Sequence, residues 1–136
     1  MRIKIKIMPK DSDTIAKVVI IDNKNRVLML KRSRHLEKYP NKWDFPGGHL
    51  HVNESLLAGL KREVKEETSL EIEDPVFIAK KDRTYFFMAN YNSQKIILSK
   101  EHRAYGFINK DMLSKDDDYQ SVALKALEIQ NDKHKA

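Results

Sequence analysis

Short runs of β-branched and aliphatic residues, separated by polar breaks, predict several β-strands in this chain. Two of these runs, Thr14 to Asp22 and Arg26 to Lys31, flank the polar residues 23–25 and predict a β-hairpin. Further strands are predicted downstream, at residues 76–80, 84–89, 95–98 and 105–108. The chain opens with Met-Arg-Ile-Lys-Ile-Lys-Ile, which alternates charge with isoleucine. We therefore expect an extra strand within residues 1–12 that either extends the sheet or pairs with another subunit, in a monomer or a homodimer.

A helical pattern separates the two groups of strands. Leu56, Leu60 and Val64 recur at helical spacing and define one apolar stripe. Asn53 is a good N-cap residue, and the helix is predicted to run through about Thr68. Two more helical segments are predicted near the C-terminus, at residues 111–114 and at about 119–130. Strands and helices in this mixture predict an α/β fold, with residues 1–136 forming a single domain.

Length and composition limit the class of protein. A chain of 136 residues can form one hydrophobic core, and 40% hydrophobic with 34% charged residues is typical of a soluble globular protein. No apolar run approaches the roughly 20 residues that span a bilayer, so no membrane segment is expected. Cysteine is absent, which excludes disulfides and thiol chemistry and is compatible with a cytoplasmic location. The net charge of +6 suits an anionic small molecule; we do not expect nucleic acid as a partner, because a modest basic excess is common on ordinary surfaces.

Three carboxylates lie within two turns of the predicted helix, at Glu63, Glu66 and Glu67. At about 100° per residue, Glu67 falls inside the apolar stripe and Glu63 at its edge, whereas Glu66 is less constrained. Glu63 and Glu67 would repel each other by roughly 0.2–0.5 kcal/mol if exposed, and an unpaired carboxylate aimed at the core is costly. A divalent cation bound through oxygen ligands would offset that cost, so the pattern indicates a metal-assisted enzyme.

These carboxylates belong to a longer motif. Gly48 is followed after five residues by Glu54, and after seven more by Arg62-Glu63-Val64-Lys65-Glu66-Glu67-Thr68-Ser69-Leu70. The motif resembles the Nudix box of the Nudix hydrolase family at every fixed position except the late glycine, which is Ser69 here. Ser69 would adopt the left-handed conformation of that position at a cost of roughly 1 kcal/mol. With the lead-in Trp43-Asp44-Phe45-Pro46-Gly47 and the flanking strands, the resemblance covers roughly residues 13–130. It implies the Nudix version of the fold, an α/β/α sandwich with a mixed β-sheet.

The resemblance also implies a magnesium-dependent pyrophosphohydrolase, in which Mn²⁺ can substitute for Mg²⁺. Magnesium prefers oxygen donors and both neutralises a diphosphate and activates water. The implied ligands are Glu63, Glu66, Glu67 and the backbone carbonyl of Gly47. Arg62 and Glu54 belong to the same motif and are grouped with the catalytic residues. They would form a salt bridge that orients the glutamate helix.

Two carboxylates are candidates for the general base, and the sequence does not choose between them. Members of the family draw it either from the helix glutamates or from a later strand or loop. Glu66 is the candidate within the helix, and Glu101, which precedes the predicted strand at residues 105–108, is the later one.

Side chains near the motif offer contacts for a nucleotide substrate. Arg32 is a candidate for the phosphates, and Trp43 and Phe45 are candidates for stacking on a base. The leading hypothesis is hydrolysis of a nucleoside diphosphate linked to a group X, such as a (d)NTP or a modified nucleotide, to a nucleoside monophosphate and phosphate-X.

Three other functions are compatible with parts of this pattern. ADP-ribose or a nucleotide sugar is an alternative substrate for the same chemistry. A catalytically silent nucleotide-binding regulator would have the same fold, although binding alone does not need three clustered carboxylates. An isomerase of isoprenoid diphosphates is discounted, because the related enzymes use a cysteine and this chain has none.

Overall fold

The computed structural model describes residues 11–134. The elements within this range, in chain order, are β1 (Asp11–Ile21), β2 (Val27–Arg32), β3 (Trp43–Asp44), β4 (Gly47–His51), α1 (Leu56–Thr68), β5 (Val76–Lys81), β6 (Thr84–Asn90), β7 (His102–Ile108), a 3₁₀-helix (Lys110–Met112) and α2 (Asp118–His134). The first ten residues, on which the prediction of an extra N-terminal strand depends, lie outside the described part of the chain.

The strands form one mixed sheet around β1. Its main path is β3-β2-β1-β6-β5, with β4 paired to β1 and β7 paired to β2. Residues 15–21 of β1 pair in parallel with β6, whereas the pairings of β1 with β2 and β4 are antiparallel. β1 changes antiparallel partner along its length, because Lys17 pairs with Gly47 on β4 and Ile21 pairs with Val27 on β2. The central strand therefore contacts both the hairpin and the glycine turn.

The two faces of β1 bury different side chains, because successive residues of a strand point to opposite faces of a sheet. Ala16, Val18 and Ile20 share one core with Leu60 and Val64 of α1. The second core, beneath α2, contains Val19 and Ile21 of β1, Phe86 and Met88 of β6, and Val122, Ala123, Ala126 and Leu127 of α2. One helix on each face confirms the predicted α/β/α sandwich with a mixed sheet.

Helix α1 begins later than predicted and ends where predicted. Its N-cap is Ser55, whose Oγ accepts a hydrogen bond from the Ala58 N–H at 3.2 Å. The prediction of Asn53 as the N-cap was wrong; Asn53 has φ of 69° and belongs to the preceding turn, a conformation that asparagine tolerates well. At the C-terminal end, Ser69 has φ of 66° and its N–H donates to the Lys65 carbonyl at 2.9 Å. Ser69 thus adopts the left-handed conformation expected there.

The segment at residues 95–98 is not a strand, so that prediction was also wrong. The Ile97 N–H donates instead to the Thr68 carbonyl at 2.9 Å, and the Ser99 N–H donates to the Glu67 carbonyl at 3.0 Å. The last carbonyls of a helix have no hydrogen-bond partner within the helix, so this loop supplies donors to the carbonyls at the end of α1. The remaining predicted strands and the terminal helix are present with small shifts of their boundaries, and the 3₁₀-helix replaces the segment predicted at residues 111–114.

Candidate active site

The turn between β3 and β4 brings two glycines against β1 and α1. Gly47 has φ of 131°, and a β-carbon at this position would lie 2.1 Å from the Ala16 carbonyl oxygen. A β-carbon at Gly48 would lie 2.7 Å from a carboxylate oxygen of Glu63. Residue 47 must therefore be glycine, whereas a β-carbon at residue 48 would require the flexible end of Glu63 to move. The double glycine therefore serves strand pairing at the first position and contact with the glutamate helix at the second.

Glu67 is buried at the end of α1, as its place in the apolar stripe predicts. Its Oε1 accepts a hydrogen bond from the Gly47 N–H at 2.7 Å, which joins the helix to the glycine turn. Burial raises the pKa of Glu67 to about 8, although the charge of Lys17 and the Gly47 hydrogen bond oppose the rise. The charges of Glu63 and Glu101 raise it further. A buried carboxylate close to other carboxylates favours the approach of a cation.

Arg62 joins the carboxylates on the outer side of α1. Its Nε and Nη2 donate to the two oxygens of Glu54 at 2.8 and 3.0 Å, and its Nη1 donates to Glu63 at 3.0 Å and to Glu66 at 3.1 Å. These hydrogen bonds lower the pKa of Glu54 to about 2, whereas burial raises the pKa of Glu63. The salt bridge predicted between Glu54 and Arg62 is present, and the same guanidinium also compensates the repulsion between the helix glutamates. Glu66 is the most exposed of them, with 57% of its side chain accessible.

Glu101, the later candidate for the general base, lies directly before β7. Its side chain is exposed, and its charge raises the pKa of both Glu63 and Glu67, so it lies on the same side of the molecule as the helix glutamates. The structure thus places both Glu101 and Glu66 beside the other carboxylates.

His102 follows Glu101 and is buried. Its Nε2 lies 3.6 Å from Glu67 Oε2, and its Nδ1 has no hydrogen-bond partner among residues 11–134. Burial, with nearby positive charges, lowers the pKa of His102 to about 4. The imidazole is therefore neutral near pH 7, and its contact with Glu67 is not an ion pair.

Lys17 and Asp44 are site residues that the sequence did not reveal. Lys17 is only 8% exposed, and its Nζ lies 2.9 Å from Asp44 Oδ2. Burial alone would lower the pKa of Lys17, but the charges of Asp44 and Glu67 outweigh it and raise the pKa overall, so the lysine is charged. The signal was a single lysine within the aliphatic run of residues 16–21, because a charge in a buried strand needs a partner.

Two of the predicted substrate contacts lie at the surface near this site. Trp43 is exposed, with the Lys31 ammonium 5.8 Å from the centroid of its ring. Arg32 donates two hydrogen bonds to the Lys38 carbonyl, at 3.2 and 3.0 Å, and closes the loop that follows β2. Both side chains are accessible in part.

The prediction that Phe45 contacts substrate was wrong. Its side chain has no exposed surface, and its ring packs edge-on against Phe86 with centroids 6.3 Å apart, in the core beneath α2. Residues of a short extended segment point alternately to opposite sides, so an aromatic next to the motif can belong entirely to the core. Phe45 is therefore a packing residue.

The donor set suits a divalent metal. Mg²⁺ prefers oxygen ligands, and such donors are offered here by Glu63, Glu66, Glu67 and the Gly47 carbonyl. Two cations of the protein contact these atoms, because Arg62 binds Glu63 and Glu66 while Lys17 Nζ lies 3.3 Å from the Gly47 oxygen. Within residues 11–134, no three acidic or histidine side chains are arranged closely enough to hold an ion as they stand. The site thus fits a metal in its donor chemistry, and binding one requires these carboxylates to move closer together.

Comparison with protein families agrees with this site. The model of the NUDIX domain family matches residues 12–130, which include every element described above up to most of α2. The chain belongs to the Nudix hydrolase family. The resemblance stated from the motif is thereby confirmed.

Individual relatives support the same assignment. An 8-oxo-dGTP diphosphatase from Buchnera aphidicola subsp. Schizaphis graminum is 37% identical over 101 residues, which cover 69% of this chain and 75% of that protein. The m7GpppN-mRNA hydrolase NUDT17 of Xenopus laevis is 39% identical over 57 residues, and these are 42% of this chain but only 19% of that protein. A crystal structure of a MutT protein from Methanosarcina mazei Go1 matches with a TM-score of 0.66 at 25% identity, over 87% of this chain and 94% of that one. Among the described residues, neither helix has the length and apolar character needed to cross a membrane.

Proposed function

We propose that this chain is a magnesium-dependent pyrophosphohydrolase that cleaves a nucleoside diphosphate linked to X into a nucleoside monophosphate and phosphate-X. The observation that carries the proposal is the junction of α1 with the glycine turn, where buried Glu67 accepts the Gly47 N–H and Glu63 lies against Gly48. Mn²⁺ is expected to replace Mg²⁺, since both take oxygen ligands. We further propose that residues 1–136 act as one domain.

A divalent ion bound at this junction would supply charge neutralisation for the diphosphate and a lowered pKa for the attacking water. The residues of the chain hold the ligands in place. The Gly47 N–H fixes the buried carboxylate of Glu67, while the Glu54–Arg62 pair fixes the face of α1 that carries Glu63. Such support matters because displacement of a ligand by a fraction of an ångström weakens a metal site.

Glu101 is our preferred general base, with Glu66 as the alternative. Both carboxylate oxygens of Glu66 accept hydrogen bonds from Arg62, at 3.2 and 3.1 Å. A carboxylate engaged in this way has less freedom to accept a proton from water. Glu101 is exposed and follows the loop that caps α1, which supports its role as the group that faces substrate.

A nucleoside triphosphate, unmodified or modified, is the favoured substrate. A relative named 8-oxo-dGTP diphosphatase is 37% identical over 101 residues, which supports this class. Trp43 offers an exposed ring for a base, and Arg32 offers a cation beside His102 for a phosphate. ADP-ribose and nucleotide sugars remain the alternatives that a screen must include.

A turnover screen with product masses tests the proposal. Purified protein is incubated with Mg²⁺ or Mn²⁺ and with nucleoside triphosphates including 8-oxo-dGTP, ADP-ribose, nucleotide sugars and dinucleoside polyphosphates. We expect a nucleoside monophosphate product that is lost when EDTA is added. Glu67→Gln should remain folded but lose most turnover and bind Mn²⁺ more weakly, whereas Glu128→Gln, on the exposed side of α2, should match the wild type. A wild-type protein that binds nucleotides but hydrolyses none of them would favour the silent regulator instead.

A further inference from the structure

Lys17 is the most deeply buried charged side chain near the glycine turn that the chemistry above does not use. It lies on β1 between Ala16 and Val18, both fully buried, and its strand neighbours are Gly47 on β4 and Phe86 on β6. An aliphatic side chain would satisfy the hydrophobic pattern at this position without the cost of burying an ammonium group. The lysine therefore needs an explanation other than packing.

The ammonium of Lys17 has a complete set of acceptors. A protonated lysine has three N–H donors. The acceptors are Asp44 Oδ2 at 2.9 Å, the Phe45 carbonyl at 3.2 Å and the Gly47 carbonyl at 3.3 Å. All three belong to residues 44–47, so one side chain from β1 holds the whole turn.

The same turn meets the glutamate helix. Gly47 donates its N–H to Glu67 at 2.7 Å, and its carbonyl accepts a hydrogen bond from Lys17 at 3.3 Å. The charge of Lys17 also acts directly on Glu67. Lys17 and Glu67 thus both bind the backbone of Gly47, the first at its carbonyl and the second at its N–H.

We propose that Lys17 is a positioning residue of the active site, which clamps residues 44–47 so that both backbone groups of Gly47 are presented to the metal-binding junction. The inference rests on the proposed function for its catalytic consequence, but not for its structural one. Lys17 does not touch the reacting atoms; it acts through Gly47 and Glu67.

Three variants test the clamp. Lys17→Met removes all three hydrogen bonds and keeps a long side chain, and Asp44→Asn removes only the ion pair. Lys125→Met is the matched control, because the Lys125 ammonium also donates to a backbone carbonyl, that of Ile78 at 3.1 Å, but on α2. Circular dichroism first establishes which variants are folded.

Two readouts report on the site without turnover. The first is the NMR resonance of the Gly47 amide proton, which its short hydrogen bond to Glu67 shifts downfield. The second is Mn²⁺ affinity measured by electron paramagnetic resonance. Steady-state kinetics on a substrate found in the screen then separates kcat from KM.

We expect Lys17→Met to move the Gly47 amide resonance upfield and to weaken Mn²⁺ binding by roughly 10–100-fold, the usual effect of losing support behind a ligand. The value of kcat should fall while KM for the nucleotide changes little. Asp44→Asn should change each quantity in the same direction, and Lys125→Met should change none. If Lys17→Met does not fold, Asp44→Asn decides the question by the same measurements.

Folded Lys17→Met or Asp44→Asn protein with the wild-type Gly47 resonance and Mn²⁺ affinity would overturn the clamp. That failure is distinct from failure of the proposed function. In one outcome, the wild type is inert on every substrate while Lys17→Met still shifts the Gly47 resonance. That result would support the positioning role of Lys17 and reject the proposed hydrolase activity. If the wild type is active and Lys17→Met matches it in every measurement, the hydrolase activity stands and the positioning role of Lys17 is rejected.

Discussion

Replacing Glu54 by glutamine tests whether the Glu54–Arg62 pair stabilises the position of α1 or contributes as little as an exposed surface ion pair. Glu54 Oε2 accepts from Arg62 Nε at 2.8 Å, while Oε1 accepts from Arg62 Nη2 at 3.0 Å and from the His51 N–H at 2.9 Å. The two side chains are 15% and 22% exposed, so they are far more enclosed than an ordinary surface pair. Glu54 therefore links the turn before α1 to the residue that holds the helix glutamates.

The magnitude follows from these contacts. Glutamine keeps one carbonyl oxygen but presents an amide group to the guanidinium, so one charge-assisted hydrogen bond is lost and the charge is removed. A hydrogen bond to a charged group contributes about 1.5–3 kcal/mol. We expect Glu54→Gln to lower the free energy of unfolding by about 1–3 kcal/mol, which corresponds to roughly 4 °C in Tm for each kcal/mol in a domain of this size.

The dependence on pH adds a second test with a definite sign. The hydrogen bonds from Arg62 lower the pKa of Glu54 to about 2 in the folded protein, below its ordinary value of 4.5. A carboxylate with a lowered folded-state pKa stabilises the protein above the unfolded pKa and loses that contribution as the pH falls through the folded pKa. The stability difference between wild type and Glu54→Gln should be full above pH 4.5 and should shrink towards pH 2.

Urea unfolding at a series of pH values measures both quantities. Glu71→Gln is the matched control, because Glu71 also forms a salt bridge at 2.9 Å, with Lys65, but both side chains are mostly exposed. We expect little effect from that substitution. A loss below about 0.5 kcal/mol in Glu54→Gln, or one that does not vary with pH, would mean that the pair behaves like an exposed one.

Four further substitutions separate other roles. Ser69→Gly should be neutral or stabilising by up to about 1 kcal/mol, because φ of 66° suits glycine; clear destabilisation on urea unfolding would contradict this. Phe45→Ala should cost roughly 3–5 kcal/mol with little change in KM of the folded enzyme, and the opposite pattern would restore its role as a substrate contact. Trp43→Ala should raise KM with little loss of stability, and an unchanged KM would remove Trp43 from the substrate site. Glu101→Gln should lower kcat by roughly 100-fold or more, whereas a fall below about tenfold would transfer the role of base to Glu66.

Helix α1 shows how much local pattern can predict. The 3.6-residue period places Glu67 in the apolar stripe and Glu63 at its edge, and the structure finds the first buried and the second half-enclosed. The left-handed conformation of Ser69 was expected from the resemblance to the Nudix box, which usually has glycine at that position. These features depend only on residues close in sequence.

Two of the errors result from contacts between distant segments, and the third results from a local turn. Residues 95–98 have the composition of a strand, but backbone N–H groups of this loop donate to carbonyls at the end of α1 instead of to a neighbouring strand. Asn53 has the chemistry of an N-cap, yet the turn into α1 places it in a left-handed conformation and leaves the cap to Ser55. Phe45 is aromatic and adjacent to the motif, but α2 covers it. For residues 95–98 and for Phe45 a neighbour far along the chain decided the outcome, whereas for Asn53 the local turn decided it.

By itself, the sequence determined the family, the layered fold and the carboxylates that surround the proposed metal site, because motif spacing and hydrophobic period are local properties. Only the tertiary structure placed the ammonium of Lys17 against the Gly47 carbonyl and its charge close to Glu67. Lys17 is 30 residues from Gly47 along the chain, and the register between β1 and β4 alone makes them neighbours. A buried ammonium finds its partners through strand pairing, and strand pairing is a property of the assembled sheet rather than of any one segment.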